Sequence, residues 1–301
     1  MEDTDAFNSR MTKLLMILAP KEGAHSTLLE GVNLMRVDRY SPPSPVLYEP
    51  SIVVVAQGRK KGYLGGQVYQ YDAHNYLVLS VPLPFESETE ATPMHPMLGV
   101  SIRTDLSILT ELMVTMNRPS LSAQASMPQG ICSTPLNHPL SGAIIRLLEH
   151  LMGAETARIL GPQTVREIMY LVLCGEQGDA LRAALKMPGH FTQISRILNH
   201  IHAEYTLPMD IKSLAEEAHM SLSVFHRSFK GITSTSPLQY IQTIRLHKAR
   251  MLMVQAGMGA GEAAEQVGYE SASQFSREFK RLFGKSPMQE VAHVRHMFVV
   301  K

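Results

Sequence analysis

Cysteine is scarce in this sequence, and long apolar runs are missing. The 301 residues contain only Cys132 and Cys174, without CxxC spacing, which argues against both a disulfide framework and a zinc knuckle. No apolar run approaches the roughly 18 residues that a membrane-spanning helix needs. The run Leu14–Ala19 is too short and wrongly flanked for a signal peptide. We therefore predict a cytoplasmic protein with no membrane partner.

Charge is also limited, and it is unevenly distributed. Charged residues make up 18% of the chain, and the formal net charge is +1. Residues 190–301 hold 13 Lys and Arg against 9 Asp and Glu, whereas residues 1–189 hold 15 against 18. The C-terminal excess is modest, so DNA binding must be argued from the positions of the basic residues more than from bulk charge.

Short segments typical of β-strands dominate the first hundred residues, after a short N-terminal helix and a proline-rich stretch that is predicted to break the structure. Ile52–Ala56 is β-branched, and Gly65–Gly66 is expected to join two strands as a hairpin. Further strands are predicted at Phe85–Glu90 and Met97–Arg103, and a turn at Gly58–Gly62. Strands spaced by about ten residues predict a small antiparallel barrel or sandwich.

Helical periodicity follows the strands. Three apolar stripes have helical spacing and begin at Leu106, Leu140 and Val165. We expect these helices to form a layer beside the barrel, so the predicted fold class is α+β. The domain boundary is placed near Pro188 and Gly189. This gives an N-terminal regulatory domain of residues 1–188 and an all-α C-terminal domain of residues 189–301.

A basic amphipathic helix is the clearest element of the C-terminal domain. Three phenylalanines recur every four residues over Phe275–Phe283, with basic residues between them. Ser271 suits the N-cap of this helix, and Gly284 suits its C-terminal stop. A short helix precedes it and is joined to it through Gly268. The segment of about residues 259–283 therefore predicts a helix-turn-helix.

The same motif occurs earlier in the chain, at about residues 209–231, with Asp210 as the expected N-cap of its first helix. Six features repeat with an offset of 50 residues: Ser221, Phe225, Arg227, Phe229, Lys230 and Ser236-Pro237 correspond to Ser271, Phe275, Arg277, Phe279, Lys280 and Ser286-Pro287. Upstream of the two serines the offset is 49, because the second turn has one residue more. A repeat of this kind is hard to produce by chance.

A single linker helix is predicted between the copies, over Leu238–Gln255, with Arg245 and Lys248 on a face away from its apolar side. Eighteen helical residues rise about 27 Å, on the order of one B-DNA turn of about 34 Å. We therefore expect the two recognition helices to reach successive major grooves on one side of the duplex. One chain would then read an asymmetric site.

The outward residues of the two recognition helices are the candidate DNA contacts. We assign Arg227, Arg277 and Gln274 to bases, because arginine binds guanine O6 and N7 in bidentate fashion and glutamine suits adenine. Lys230, Lys280 and Arg281 are assigned to phosphate. The full candidate set is Ser223, His226, Arg227, Lys230, Ala272, Ser273, Gln274, Ser276, Arg277, Lys280 and Arg281. Core packing is the better interpretation of the phenylalanines. The basic residues also fit a solvated face, but their duplicated spacing favours DNA.

Residues from about Ile194 to Pro287 resemble the paired helix-turn-helix domain of the AraC/XylS transcription regulators. The resemblance is carried by Gly-Tyr-Glu-Ser from Gly268 and by the tail Gln-Phe-Ser-Arg-Glu-Phe-Lys-Arg-Leu-Phe-Gly-Lys-Ser-Pro that ends at Pro287. It implies promoter DNA and RNA polymerase as partners. Two departures are visible: His219 stands where the first turn usually has glycine, and small Ser223 stands where larger side chains often reach bases. The first motif is therefore expected to contribute less specificity.

The N-terminal half resembles the N-terminal domain of one subgroup of these regulators, chiefly in Gln57–Lys61, Leu64–Tyr69 and Tyr76–Pro84. The resemblance implies a cupin-like domain that binds a small-molecule effector, without naming the effector. Metal-binding cupins use several histidines and a carboxylate. The strands here offer only His74 and His95, both beside turns, so neither a metal nor another cofactor is predicted.

The two cysteines and two of the apolar helices allow further hypotheses. Cys132 is expected in a polar loop that extends to about Pro135, where its thiol would be accessible to oxidants or electrophiles, and we consider a sensing role for it. Cys174 ends an apolar helix and is expected to be buried. An ordinary structural role is favoured for both. The stripes at Leu140–Leu151 and Val165–Cys174 have enough apolar residues for a homodimer interface, although such stripes more often form intradomain core.

Three functions follow from these observations. The favoured one is a ligand-modulated, sequence-specific transcription regulator that is not an enzyme. The first alternative is a cupin-like small-molecule-binding protein or enzyme with incidental DNA binding, but the sequence offers no recognisable triad, metal cluster or phosphate loop. The second alternative is a module whose C-terminal helices contact protein. Loss of specific DNA affinity in Arg277→Ala would separate the first function from the other two.

Overall fold

The computed structural model describes residues 2–116, 130–175 and 190–292. These residues fall into two compact units, one built from the chain up to residue 175 and the other chiefly from residue 190 onward. The predicted junction at Pro188 and Gly189 lies outside the described residues. Among the residues that are described, no helix is long and apolar enough to cross a membrane.

In the first unit the strands of the described residues form one curled antiparallel sheet. Their order is β1-β2-β9-β4-β7-β6-β5-β8-β3, with β10 paired to β7. The strands are β1 (Gly23–Ser26), β2 (Val32–Val37), β3 (Ser41–Tyr48), β4 (Ser51–Gln57), β5 (Arg59–Leu64), β6 (Gln67–Asp72), β7 (Asn75–Leu79), β8 (Leu83–Glu90), β9 (Met97–Arg103) and β10 (Ile131–Pro135). The predicted antiparallel β architecture is confirmed as a half-barrel.

Two local predictions in this sheet are wrong. Of the predicted turn Gly58–Gly62, only Gly58 leaves the extended conformation, with φ +78°. The residues after it form β5, because they pair with β6 on one side and with β8 on the other. The proline-rich stretch does not break the structure, since β3 runs through Pro42, Pro43 and Pro45. It lies at the end of the strand order, where a missing N–H donor is tolerated.

Helices cover one face of the sheet. They are α1 (Glu2–Leu18), α2 (Leu106–Met116), α3 (His138–His150), α4 (Ala154–Ile159) and α5 (Gly161–Cys174). The three predicted helical stripes are confirmed, and their apolar residues pack with Ile52 and Val54 in one buried core. Leu140, Leu147 and Ile168 are each no more than 1% exposed. The stripes of α3 and α5 therefore form intradomain core and are not available as an interface.

The second unit is helical over its described residues. Its helices are α6 (His190–Glu204), α7 (Ile211–Glu217), α8 (Leu222–Thr233), α9 (Pro237–Gln255), α10 (Ala260–Gln266) and α11 (Ala272–Phe283). The predicted linker is a single helix, α9, whose 19 residues rise about 28 Å. Asp210 caps α7 by accepting a hydrogen bond from the Ser213 amide at 2.9 Å. Ser271 likewise caps α11 by accepting from the Gln274 amide at 3.2 Å.

The repeat is confirmed at the level of helices. The recognition helices α8 and α11 each have 12 residues and begin 50 residues apart. The preceding helices α7 and α10 each have 7 residues and begin 49 residues apart. His219 and Gly268 occupy equivalent turn positions with left-handed backbones, at φ +53° and +84°. The sequence therefore specifies two copies of one helix-turn-helix.

Candidate nucleic-acid interface

The aromatic stripe of α11 positions its outer face. Phe275 and Phe279 are fully buried, and their ring centroids lie 5.4 Å apart. Phe283 continues the stripe 4.5 Å from Phe279. Because helical residues three and four apart share a face, burying this stripe turns the intervening polar residues outward. Core packing is confirmed as the role of the phenylalanines.

The first recognition helix is built in the same way. Phe225 and Phe229 are fully buried, with ring centroids 5.6 Å apart. Phe229 also meets Tyr240 of α9 edge to face at 5.4 Å. Each recognition helix is therefore held against its own aromatic core, with one face left in solvent.

The predicted contact residues all lie on these two exposed faces. The structure exposes Ser223, His226, Arg227 and Lys230 on α8, and Ala272, Ser273, Gln274, Ser276, Arg277, Lys280 and Arg281 on α11. In the described part of the chain, none of the five cations in this set has an ion-pair partner. Other cations of the same unit do: Arg250 pairs with Glu290 at 2.6 Å, and Lys212 with Glu216 at 3.9 Å.

Gln274 belongs to a series of hydrogen-bonded side chains that the sequence analysis did not predict. Its amide Nε2 donates to Glu278 Oε1 at 3.0 Å, and the Tyr269 hydroxyl donates to Glu278 Oε2 at 2.7 Å. Burial, together with the hydrogen bond to Glu278 and the charge of that carboxylate, raises the pKa of Tyr269, which keeps the phenol protonated as a donor. The spacing of Gln274 and Glu278, four residues apart on a helix, was the sequence signal that could have indicated this hydrogen bond. These hydrogen bonds fix the orientation of the Gln274 amide on the helix that also carries Arg277.

Arg245 on α9, predicted to lie off the apolar face of this helix, makes hydrogen bonds that the sequence did not predict. Its guanidinium donates to the carbonyl oxygens of Tyr205 at 2.7 Å, Leu207 at 2.8 Å and Gly268 at 3.2 Å. The first two precede α7 of the first motif, and Gly268 lies in the turn of the second. Lys248 is also turned inward, 5.7 Å from the centre of the Tyr205 ring. These three hydrogen bonds, called here the Arg245 junction, join the two motifs directly.

Cys132 does not lie in a loop, so that expectation is wrong. It is in β10, opposite Val78 of β7, where its thiol packs partly buried against the helix-covered core. The remainder of the predicted loop, residues 117–129, lies outside the described residues. Burial raises the pKa of the Cys132 thiol, against a smaller opposing effect from Thr134. A raised pKa lowers the fraction of reactive thiolate, which counts against the sensing hypothesis.

His74 and His95 lie beside turns, as expected, but they are not the only histidines of the strands, because His25 lies in β1. His74 follows β6, where its amide donates to Asp72 Oδ1 at 3.0 Å, and His95 forms a bridge with Thr92. Within the three described ranges, no group of three or more His, Cys, Asp or Glu side chains could hold a metal ion.

Two families match the chain. Residues 28–180 match the family described as AraC-type transcriptional regulator N-terminus, and residues 214–292 match a helix-turn-helix domain family. The second match includes both recognition helices and the linker.

Known relatives agree with these matches. The transcriptional regulator AlkR of Acinetobacter baylyi is 38% identical over 95 residues, 32% of this chain but only 31% of AlkR. The thermoregulatory protein LcrF of Yersinia pestis is 23% identical over 80% of this chain and 88% of its own length. An apo variant of ToxT from Vibrio cholerae has the same fold, with a TM-score of 0.60 at 12% identity over 86% of this chain and 96% of ToxT. The chain belongs to the AraC family of helix-turn-helix, DNA-binding transcription regulators.

Proposed function

We propose that α8 and α11 enter successive major grooves of promoter DNA and that one chain reads both half-sites. The observation that carries this proposal is the set of five exposed cations that have no ion pair within the described ranges, Arg227, Lys230, Arg277, Lys280 and Arg281. Exposed cations that recur at matching positions of two recognition helices suit a polyanionic partner.

Within this interface the side chains take different roles. Arg227 and Arg277 bind guanine O6 and N7, and Gln274, oriented by Glu278, binds adenine. Lys230, Lys280 and Arg281 bind phosphates and set the register. The small exposed residues Ser223, Ala272, Ser273 and Ser276 allow close approach of the helices to the groove, and the exposed His226 ring lies on the same face of α8 as Ser223.

The N-terminal unit is proposed to bind a small-molecule effector that modulates DNA binding. The match to the AraC-type N-terminal family supports this role. One solved ToxT structure is described as bound to an unsaturated fatty acid, which supports effector binding on a related fold.

The further proposals are activity in the cytoplasm, contact with RNA polymerase and a homodimeric state. The buried stripes of α3 and α5 give no support to dimerisation. The named relatives are regulators, which supports a regulator in place of an enzyme.

Gel-shift assays with the full chain test the interface. A duplex selected from a random library by the wild-type protein serves as the specific site. Arg277→Ala and Arg227→Ala should each weaken binding to it by about 1–3 kcal/mol, because each removes a bidentate base contact. Lys13→Ala is the matched control, since Lys13 is an exposed cation of α1 in the other unit. Unchanged specific affinity in the Arg227/Arg277 double variant would refute the proposed docking.

A further inference from the structure

Three consecutive basic residues begin β5, and strand alternation separates them onto two faces. Arg59 and Lys61 lie on the exposed face, where acidic partners neutralise both. Arg59 lies 3.4 Å from Asp72 and 3.4 Å from Glu90. Lys61 bonds to Glu90 and lies 4.0 Å from Glu88. The outer cations of this strand therefore have ordinary ion pairs.

Lys60 lies on the opposite, buried face and is only 8% exposed. Its cross-strand neighbours are Tyr71 of β6 and Thr89 of β8. The Lys60 ammonium donates to Thr89 Oγ1 at 3.1 Å. Among the described residues no carboxylate lies within the 4.0 Å of an ion pair, unlike the case of Arg59 and Lys61. A buried ammonium without a counter-ion is costly, because it loses hydration without gaining an opposite charge.

Hydroxyl groups surround this ammonium. Tyr71 is fully buried and Ser87 is 4% exposed, yet among the described residues neither hydroxyl has a hydrogen-bond partner of good geometry. Both lie close enough to Tyr48 to affect its phenol. Burial acts to raise the pKa of Tyr48, but the charge of Lys60 and the polar groups of Tyr71, Lys60 and Ser87 beside its phenol together lower it. Tyr48, Lys60, Tyr71 and Ser87 form one buried group, called here the Lys60 cluster.

We infer that the Lys60 cluster binds the carboxylate of a monoanionic small molecule, which is the effector of this regulator. The inference rests on the effector role proposed above. The ammonium has three N–H donors, and Thr89 and Tyr48 occupy at most two. The orphaned hydroxyls of Tyr71 and Ser87 supply further donors, and hydrogen bonds to an ionised group are stronger than neutral ones.

Charge and surroundings set the ligand class. One ammonium balances one negative charge, whereas a phosphate dianion would leave excess charge in a low-dielectric interior. Leu64 and Phe85, which lie on the same buried face of β5 and β8, are 7% and 5% exposed. They suit the hydrocarbon part of a carboxylic acid more than a sugar or a nucleotide.

Thermal melting of the full chain tests this inference. The probes are acetate, butyrate, octanoate and benzoate, each with its primary amide, and inorganic phosphate as the dianion. At least one carboxylate should raise the melting temperature of the wild type by several degrees, and its amide and phosphate should not. Lys60→Met should abolish the shift. Lys61→Met, which removes the same charge from the exposed face of the same strand, should keep it.

The outcomes are decisive in both directions. The inference fails if no carboxylate exceeds its amide in the wild type, if phosphate exceeds every carboxylate, or if the shift persists in Lys60→Met. If circular dichroism shows that Lys60→Met is unfolded, Tyr71→Phe decides, because it removes only an orphaned hydroxyl. It should weaken carboxylate binding several-fold, and unchanged affinity would refute the site. Gel shifts in parallel report DNA binding separately, so failure there leaves the ligand result standing.

Discussion

Gly268 and His219 occupy the same position in the two motifs, but their surroundings differ. A Cβ at Gly268 would lie 2.3 Å from the Thr206 carbonyl oxygen and 3.1 Å from its carbon, which are backbone atoms that cannot easily yield. Gly268 is therefore required both by its φ of +84° and by the close approach of the first motif. His219 needs only the left-handed backbone, which histidine adopts more readily than most residues.

We predict that Gly268→Ala destabilises the C-terminal unit by about 2–4 kcal/mol, since left-handed strain and a backbone collision add. Gly284→Ala is the matched control, because Gly284 has φ +73° but no atom within 4 Å of an added Cβ. It should cost only about 1–2 kcal/mol. Urea unfolding followed by circular dichroism at 222 nm measures both. Equal losses in the two variants would show that the contact with Thr206 is unimportant.

His247 gives the C-terminal unit a specific pH dependence. Burial, with a smaller contribution from Arg250, lowers the pKa of His247 to about 3 from the usual 6.5. Below about pH 6.5 the His247 imidazole is protonated in the unfolded chain but stays neutral in the folded chain. Stability therefore falls as the pH falls from about 6.5 towards 3. The loss from this one residue should be about 2 kcal/mol between pH 7 and pH 5.

The same urea experiment with His247→Leu measures that contribution. The variant should show a shallower loss between pH 7 and pH 5, because leucine does not titrate, while its stability at pH 8 corrects for any change in packing against Phe283. Burial likewise lowers the pKa of His202 to about 4, with Lys248 adding to the effect. Some pH dependence must therefore remain. An identical slope in wild type and His247→Leu would contradict the assignment.

Among the helices and strands, features set by local signals were more predictable than features set by long-range contacts. The helices α8, α9 and α11 followed from periodicity, caps and the repeat, because these depend on residues a few positions apart. The strands β3 and β10 did not. The three prolines in β3 argue against a strand when only the sequence is considered. The strand β10 depends on its pairing with β7, about fifty residues earlier in the chain. For the same reason the exposure of the candidate residues was predicted correctly, whereas the inward roles of Arg245 and Glu278 were missed.

Base-reading and phosphate-binding residues on α11 should separate by their salt dependence. Lys280→Ala should weaken binding to specific and random duplexes alike and reduce the slope of log affinity against log salt by about 1, because one fewer counterion is released. Arg277→Ala should mainly lower affinity for the selected site. Gel shifts at several salt concentrations measure both. If Lys280→Ala changes only specific binding, the two roles on this helix must be reversed.

The Arg245 junction determines whether the two helix-turn-helix motifs bind DNA as one unit. If the motifs were joined by α9 alone, a bend in the helix would change their spacing. The junction ties the Tyr205 and Leu207 carbonyls of the first half to Gly268 of the second, which fixes their relation. A fixed relation raises the effective concentration of the second motif once the first has bound.

We predict that Arg245→Met lowers affinity for a full selected site at least about tenfold, or about 1.4 kcal/mol, while affinity for a duplex with only the second half-site changes little. Methionine keeps the length of the side chain and removes all three hydrogen bonds. Lys248→Met is the control on the same helix, since the Lys248 ammonium lies 5.7 Å from the centre of the Tyr205 ring and, among the described residues, makes none of the three hydrogen bonds of the Arg245 junction. Equal losses on full and half sites would mean that Arg245 supports folding or DNA contact in general, and that the two motifs are not coupled through it.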